Sequence, residues 1–234
     1  MIKAVISDMD GVMLDTEKLY VRFWCEAARS FGFPMEPRHA LGIRSLGRPF
    51  AIEKLQGWFG ESFVYDEVRD KRVELMDAFV AENGVEAKQG AAELLQWRRE
   101  QDYRVALATA TPVERASRYL EQVGLLRYFD VICSAREVAH GKPAPDIYLL
   151  AAARLGLPPA ECLALEDSQN GVRSAHAAGC RTVLVPDLDN PAAELEGLLY
   201  GVAENLQEVK NLLKKASHRG GSGISETAQK RKLD

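Results

Sequence analysis

The sequence of 234 residues has little that suits a membrane, a nucleic acid or an oxidising compartment. No apolar run approaches the roughly 18 residues of a membrane span, so we expect neither a membrane partner nor a secretory leader. Cys25, Cys133, Cys162 and Cys180 lack a metal-binding spacing, which predicts buried, reduced thiols in a cytoplasmic protein. A net charge of −4 argues against a nucleic-acid partner, because such proteins usually carry a strongly basic face.

Strand-like and helix-like segments alternate along most of the chain. The apolar segments that predict strands are 3–8, 103–109, 131–133, 162–166 and 182–185. The later segments with helical periodicity are 90–100, 112–123, 146–155 and 171–178. Short apolar strands that alternate with helices are typical of parallel sheets covered on both faces. The pattern therefore predicts an α/β fold with a Rossmann-like, doubly wound parallel sheet.

A long stretch after the first strand departs from this alternation. Its helical patterns are 17–31, 48–59 and 66–83, and no convincing strand lies among them. We therefore expect an inserted helical bundle. The aromatic side chains expected to form the core of the bundle are Trp24, Phe31, Phe50, Trp58, Phe63 and Phe79.

The domain boundaries follow from this insertion. We expect an α/β core of residues 1–16 and 85–216, a helical domain of residues 17–84, and a monomer. The chain is expected to pivot at the two junctions between these domains. The small, polar segment 217–234 predicts a disordered tail.

Two carboxylates, Asp8 and Asp10, lie two residues apart where the first predicted strand ends in DMDG. Side chains at positions i and i+2 of a strand point the same way, so this pair is expected to project together beyond the sheet. Two buried carboxylates repel each other, and a hard cation such as Mg²⁺ relieves that repulsion. For this motif alone, a solvated acidic turn is an equal alternative.

Three further motifs fall at the carboxyl ends of later strands, the edge where open α/β sheets bind ligands. Thr109, in VALATAT, places a hydroxyl before a helix N-terminus, which suits an anion or simply caps the helix. Lys142, in HGKPAPD, either aims a cation into the site or lies on a surface loop. Glu166 and Asp167, in ALEDSQNG, suit either a metal site or a helix cap.

In this order, the four motifs resemble those of the haloacid dehalogenase superfamily of phosphotransferases, over roughly residues 1–188. GKPAPD followed by LEDSxxG is most similar to the branch that contains β-phosphoglucomutase and small sugar-phosphate phosphatases. The resemblance implies that the helical insertion is a cap domain, that the cofactor is Mg²⁺, and that an aspartyl-phosphate forms. The implied roles are nucleophile for Asp8, acid and base for Asp10, phosphate binding for Thr109, Ala110 and Lys142, and metal binding for Asp8, the Asp10 carbonyl, Glu166 and Asp167.

Hydrolysis and phosphoryl transfer within a sugar are the two reactions that this branch offers. The β-phosphoglucomutases carry a histidine at the position of Tyr20, and a lysine-glycine pattern that the segment 41–48 lacks. These departures favour hydrolysis of a small phosphate monoester, such as a sugar phosphate, with a phosphomutase as the alternative. Arg44 and Arg48 are expected to contact substrate or to lie on a solvated surface.

The neighbours of the motif residues carry further expectations. Asp15 is expected to tie the catalytic loop to the linker, and Thr16 to face the incoming substrate. Glu166 is expected to ligate the metal directly or through water, and in either position to pair with Lys142. The role of Asp10 requires a raised pKa, which a neighbouring carboxylate and a partly closed site would produce.

Overall fold

A single parallel sheet lies at the centre of the computed structural model, which describes residues 1–189 and 192–218. Its strands are β1 (Ala4–Ser7), β2 (Arg104–Thr109), β3 (Val131–Ser134), β4 (Cys162–Glu166), β5 (Arg181–Leu184) and β6 (Gly201–Val202). Their order across the sheet is β3-β2-β1-β4-β5-β6, and every neighbouring pair is parallel. The predicted α/β class is confirmed. The two-residue strand β6 was not predicted, because it is too short to show a hydrophobic pattern.

Helices alone lie between β1 and β2. The fifth, α5 (Ala91–Glu100), packs on the sheet. The first four are α1 (Glu17–Ser30), α2 (Pro37–Gly42), α3 (Arg48–Phe59) and α4 (Tyr65–Asn83), and residues 17–83 are called the helical insertion below. Trp24 and Phe63 belong to a buried cluster of its own. The predicted core is wrong for Phe31, Phe50 and Trp58, whose exposed fractions are 43%, 46% and 40%. Aromatic content alone does not determine which side of a helix faces inward.

The remaining helices cover both faces of the sheet. They are α5 (Ala91–Glu100), α6 (Val113–Gln122), α7 (Asp146–Arg154), α8 (Gln169–Ala177), α9 (Ala192–Leu195) and α10 (Leu206–His218). Ala4 and Ile6 of β1 pack in one cluster with Ile147 of α7, whereas Val5 packs in a second cluster with Leu94 of α5. This alternation places one hydrophobic layer on each face, as a doubly wound sheet requires.

Two linkers join the helical insertion to the sheet, and they pair with each other. Leu14 and Ala87 form an antiparallel bridge, and the N–H of Asp15 donates to the carbonyl of Glu86 at 2.8 Å. The carboxylate of Asp15 also accepts a hydrogen bond of 2.6 Å from Lys18. Asp15 therefore ties the linkers together, in agreement with its expected role.

The end of the described chain is more regular than the sequence indicated. Residues 217 and 218 continue helix α10, so the predicted tail is wrong at these two positions. The rest of that tail, 219–234, lies outside the described residues. All four cysteines are buried and unpaired, as predicted. Within the described ranges, no helix combines the length and the apolar character needed to cross a membrane.

Candidate active site

The central strands bring the predicted motifs to one edge of the sheet. Asp8 directly follows β1, Thr109 ends β2 and Glu166 ends β4. Strand β1 lies between β2 and β4, and parallel neighbours are about 4.8 Å apart. This edge lies beside the point where the strand order reverses, which is where open α/β sheets bind ligands.

Lys142 joins two of these strand ends. Its Nζ donates to Oδ1 of Asp8 and to Oε1 of Glu166, both at 2.6 Å, so the expected ion pair with Glu166 is present. Tyr148 of α7 donates a third hydrogen bond to the same Oε1 at 2.5 Å. Burial would lower the pKa of Lys142, but the two carboxylates outweigh it and hold that pKa above its ordinary value. The ammonium therefore stays charged where Asp8 needs a fixed partner.

Three carboxylates form a compact acidic cluster beside this lysine. Asp8, Glu166 and Asp167 each offer an oxygen, and these oxygens lie within 4.8 Å of one another. Neither carboxylate oxygen of Asp167 has a hydrogen-bond partner among the described residues, although Oδ2 lies 3.4 Å from Nη1 of Arg44. Burial raises the pKa of Asp8 to about 7 and that of Asp167 well above its usual value. The unpartnered oxygens of Asp167, beside the hard oxygen donors of Asp8 and Glu166, fit a divalent cation such as Mg²⁺.

Two glycines leave room for the cluster. A Cβ at Gly11 would collide with the carboxylate of Asp167, and one at Gly171 would collide with that of Glu166. Gly11 also has a φ of +78°, which other L-residues rarely adopt. The backbone thus approaches both carboxylates more closely than a side chain would allow. The carboxylate of Asp10 is not part of this cluster.

Asp10 lies in a separate network of hydroxyl groups. Thr16 donates to its Oδ1 at 2.5 Å, and Thr111 donates to its Oδ2 at 3.1 Å. The phenol of Tyr20 lies 3.0 Å from the Thr111 hydroxyl. Burial raises the pKa of Asp10, as predicted in direction, and the hydrogen bonds from Thr16 and Thr111 oppose that rise. Thr16 is fully buried and faces Asp10, so the expectation that it faces substrate is wrong.

The residues at the end of β2 and directly after it have different roles in the site. Ala110 and Thr111 line the cavity described below, as a phosphate-binding segment would. Thr109 is fully buried, and its hydroxyl accepts a hydrogen bond of 3.1 Å from the N–H of Thr111. Thr109 therefore supports the segment from behind in this conformation.

A cavity of about 470 Å³ separates the sheet edge from the helical insertion. Asp8, Asp10 and Lys142 line it from the sheet, while Tyr20 and Arg72 line it from the insertion. Its volume falls in the range typical of small-molecule sites. A surface depression elsewhere, between α5 and the segment around residue 128, contains none of these groups.

Arg44 and Gly47 bring the helical insertion into contact with the site. Nη2 of Arg44 donates to the carbonyl of Asp167 at 3.1 Å and to Oδ1 of Asp189 at 2.5 Å. The N–H of Gly47 donates to the carbonyl of Lys142 at 2.8 Å. Arg48, in contrast, is largely exposed and pairs with Asp66.

Sequence reasoning missed several of these groups. Tyr148 lies in the first turn of α7, where a tyrosine is indistinguishable from a core residue. The buried carboxylate of Glu17, which lines the cavity, resembles an ordinary first-turn acid of α1. Arg72 lies on α4 without any motif around it. A periodicity analysis of α4 is the one signal that could have separated Arg72 from its exposed neighbours.

Known proteins resemble the chain over most of its length. It is 33% identical over 218 residues to the phosphorylated carbohydrates phosphatase of Thermotoga maritima, which covers 91% of this chain and 98% of that protein. It is 33% identical over 189 residues to hexitol phosphatase B of Escherichia coli, with 79% and 84% covered. A mutant of CbbY from Rhodobacter sphaeroides, solved with xylulose-(1,5)bisphosphate, superposes with a TM-score of 0.73 at 27% identity, with 89% and 96% covered.

A family-level match agrees with these likenesses. The sequence profile of haloacid dehalogenase-like hydrolases matches residues 2–179. This match runs from β1 to the end of α8 and so includes every strand end described above. The chain belongs to the haloacid dehalogenase-like hydrolase family.

Proposed function

We propose that this protein is a Mg²⁺-dependent phosphatase that hydrolyses a small phosphate monoester, such as a sugar phosphate, through an aspartyl-phosphate on Asp8. The observation that carries the proposal is the buried contact of 2.6 Å between Lys142 and Asp8, beside carboxylates that fit a metal. Relatives named phosphatases of phosphorylated carbohydrates and of hexitols support the substrate class.

Asp8 acts as the nucleophile in this proposal. Lys142 engages its Oδ1, which leaves the second oxygen to attack phosphorus and displace the leaving-group oxygen. Lys142 and the segment of Ala110 and Thr111 hold the phosphoryl oxygens, where they offset charge in the transition state. The residues that would hold Mg²⁺ are Asp8, Asp167, the carbonyl of Asp10 and, directly or through water, Glu166. The bound cation supplies positive charge that lowers the repulsion between the phosphate dianion and the carboxylates.

Asp10 acts as the acid and then as the base. Its raised pKa favours the protonated form, which passes a proton to the departing alkoxide. The resulting carboxylate then takes a proton from the water that attacks the aspartyl-phosphate. Thr16 and Thr111 orient Asp10 in both steps.

The helical insertion acts as a cap that closes over the substrate. The paired linkers around Leu14 and Ala87 form its pivot, and Gly47 and Arg44 close it onto the sheet domain. Tyr20 favours hydrolysis over sugar phosphomutation, because burial raises the pKa of its phenol and prevents it from serving as a base. The closed cap positions one ester for attack by Asp8.

Phosphate release from a panel of sugar phosphates and nucleotides, with Mg²⁺ and then with EDTA, tests this proposal. We expect release that requires the metal and that disappears in Asp8→Asn. Parallel reactions with catalytic glucose 1,6-bisphosphate are analysed for isomerised sugar phosphate. Isomerisation with little release would replace the hydrolase by a phosphomutase, and no reaction in either assay would contradict both.

A further inference from the structure

Arg72, on helix α4, is a buried cation without an ionic partner. Its exposed fraction is 7%, and it lines the cavity above Asp10. Nε and Nη1 have no hydrogen-bond partner, and no carboxylate of the described residues forms an ion pair with Arg72. A buried charge without a partner destabilises a fold, so such a residue is explained by a ligand more readily than by packing.

The aromatic neighbours of Arg72 do not satisfy its hydrogen-bonding groups. Its guanidinium carbon lies 5.0 Å from the ring centre of Tyr20 and 5.4 Å from that of Trp24. Such contacts stabilise the faces of the guanidinium. Its N–H groups point outward in the guanidinium plane, where they pair with anions.

The other cations that line the cavity either pair with carboxylates or are exposed to solvent. Those that line it and pair with carboxylates are Arg44, Arg48, Arg69, Arg115 and Lys142. Arg136 also lines the cavity, but it is exposed to solvent. Burial lowers the pKa of Arg72, and the neighbouring charges of Arg115 and Arg69 lower it further. Among the described residues, Arg72 is therefore a buried cation of the cavity that forms no ion pair with a carboxylate.

The position of Arg72 indicates which side of the phosphorus its positive charge faces. Arg72 stacks on the ring of Tyr20, whose phenol lies 3.0 Å from the Thr111 hydroxyl that donates to Asp10. The cation bonded to Asp8 is Lys142. In the proposed mechanism, Asp10 protonates the leaving group, so Arg72 lies on the leaving-group side of the phosphorus.

We propose that Arg72 binds a second anionic group, a phosphate or a carboxylate carried by the leaving group, and so selects doubly charged phosphate esters. This inference rests on the proposed phosphatase function and names its substrate class more closely. Arg72 is a specificity-determining residue in this proposal. Lys142 binds the phosphate ester that is cleaved, and Arg72 binds the anionic group at the far end of the substrate.

Matched ester pairs test the proposal by their ratio of kcat/KM. The pairs are fructose 6-phosphate with fructose 1,6-bisphosphate, and glycerol 3-phosphate with 3-phosphoglycerate, so that phosphate and carboxylate are distinguished. We expect the wild type to prefer the doubly charged member of at least one pair by about tenfold or more. Arg72→Gln is expected to lower that ratio about tenfold, and Arg72→Lys to retain most of it.

Arg38→Gln is the matched control, because Arg38 lies in the same insertion with a side chain that is 75% exposed. It is expected to leave the ratio unchanged, and thermal melting establishes that each variant is folded. An equal loss of activity on both members in Arg72→Gln would overturn the proposal. The absence of a preference for either doubly charged ester in the wild type would also overturn it, whether or not Arg72→Gln folds.

Binding to Asp8→Asn separates this inference from the proposed function. Calorimetry with the same ester pairs needs no turnover, and we expect tighter binding of a doubly charged member. If the wild type released no phosphate from any ester, the proposed function would fail while the binding comparison still decided the role of Arg72. Equal affinity within both pairs would contradict that role.

Discussion

Asp77, on helix α4 of the insertion, accepts a hydrogen bond of 3.0 Å from Arg115 on α6 of the sheet domain. Arg118 and Tyr119, also on α6, donate to the other carboxylate oxygen at 3.1 Å and 3.3 Å. Three donors of one domain thus converge on a single carboxylate of the other. This contact joins the two domains directly, and Arg115 itself lines the cavity.

Asp77→Asn is expected to weaken this contact and to raise KM severalfold, with a smaller change in kcat. Asp77 is 36% exposed, so each ion pair is screened and contributes about 0–1 kcal/mol. Steady-state kinetics on the best substrate measures the change. Asp70→Asn, on the same helix but with a carboxylate that is 74% exposed, is the control and should leave KM unchanged. An equal KM in the two variants would contradict a role for Asp77 in closure.

Asp8→Asn is expected to abolish turnover without destabilising the metal-free fold. The loss of a nucleophile typically lowers kcat by about a thousandfold or more. Burial already raises the pKa of Asp8 to about 7, so a neutral amide removes a charge that is costly to bury. Single-turnover assays and thermal melting in EDTA measure the two effects. Activity close to that of the wild type would exclude Asp8 as the nucleophile.

Lys142→Met is expected to lower the free energy of unfolding by about 3–5 kcal/mol, because it leaves Asp8 and Glu166 buried without a counter-charge. Urea denaturation in EDTA measures this loss. Lys18→Met is the matched control, since Lys18 also contacts two carboxylates but is 47% exposed. Its loss should be about 0–1 kcal/mol. Similar losses in the two variants would show that the buried pairs contribute no more than exposed ones.

Gly11→Ala is expected to destabilise the protein and to weaken metal binding. The new Cβ collides with the carboxylate of Asp167 and imposes the strain of a positive φ, about 1–2 kcal/mol. Gly32→Ala separates the two causes, because Gly32 has a φ of +85° but no atom within 4 Å of its Cβ position. We expect both variants to lose stability, and Gly11→Ala alone to lose the rise in melting temperature with Mg²⁺. Retention of that rise would place the cation away from Asp167.

Cys162 and Cys180 are expected to resist alkylation at pH 8 in the folded protein. Burial raises the pKa of Cys162 to about 11 and that of Cys180 to about 12, so the reactive thiolate is scarce at that pH. Mass spectrometry after iodoacetamide treatment measures the labelling of each cysteine. Protein in urea is the control and should be labelled at all four positions. Rapid labelling of the two native thiols would contradict their burial.

The strand ends could be predicted because each depends on a short stretch of sequence. Asp8, Glu166 and Asp167 follow apolar strands directly, and a parallel sheet brings neighbouring strand ends together without further information. Local pattern and sheet geometry were sufficient for this part of the site. The ion pair of Lys142 with Glu166 was expected only with the family resemblance, because the residues alone left Lys142 as an inward cation or a surface-loop lysine.

The contribution of the helical insertion could not be predicted in the same way. Arg44 contacts Asp167, which lies 123 positions further along the chain. The residues around Arg44 form no motif that would predict this contact. The exposure of Phe50 depends on how the four helices pack, which the hydrophobic pattern does not determine. Thr16 was placed in the right loop, yet its hydroxyl donates to Asp10 and does not face the substrate cavity.

Thr16 and Tyr20, at the two ends of the Asp10 hydrogen-bond network, lie at different distances from the linker pivot. Thr16 adjoins the linker pivot, whereas Tyr20 lies four residues further along α1, about 6 Å away at 1.5 Å per residue. Under the proposed rotation of the cap, Tyr20 is displaced much more than Thr16. We therefore expect the bond from Thr16 to Asp10 to outlast the contact of Tyr20 with Thr111 as the proposed cap opens. The closed cap would then fix Thr111, and through it one of the two hydrogen bonds of Asp10, once the substrate is enclosed.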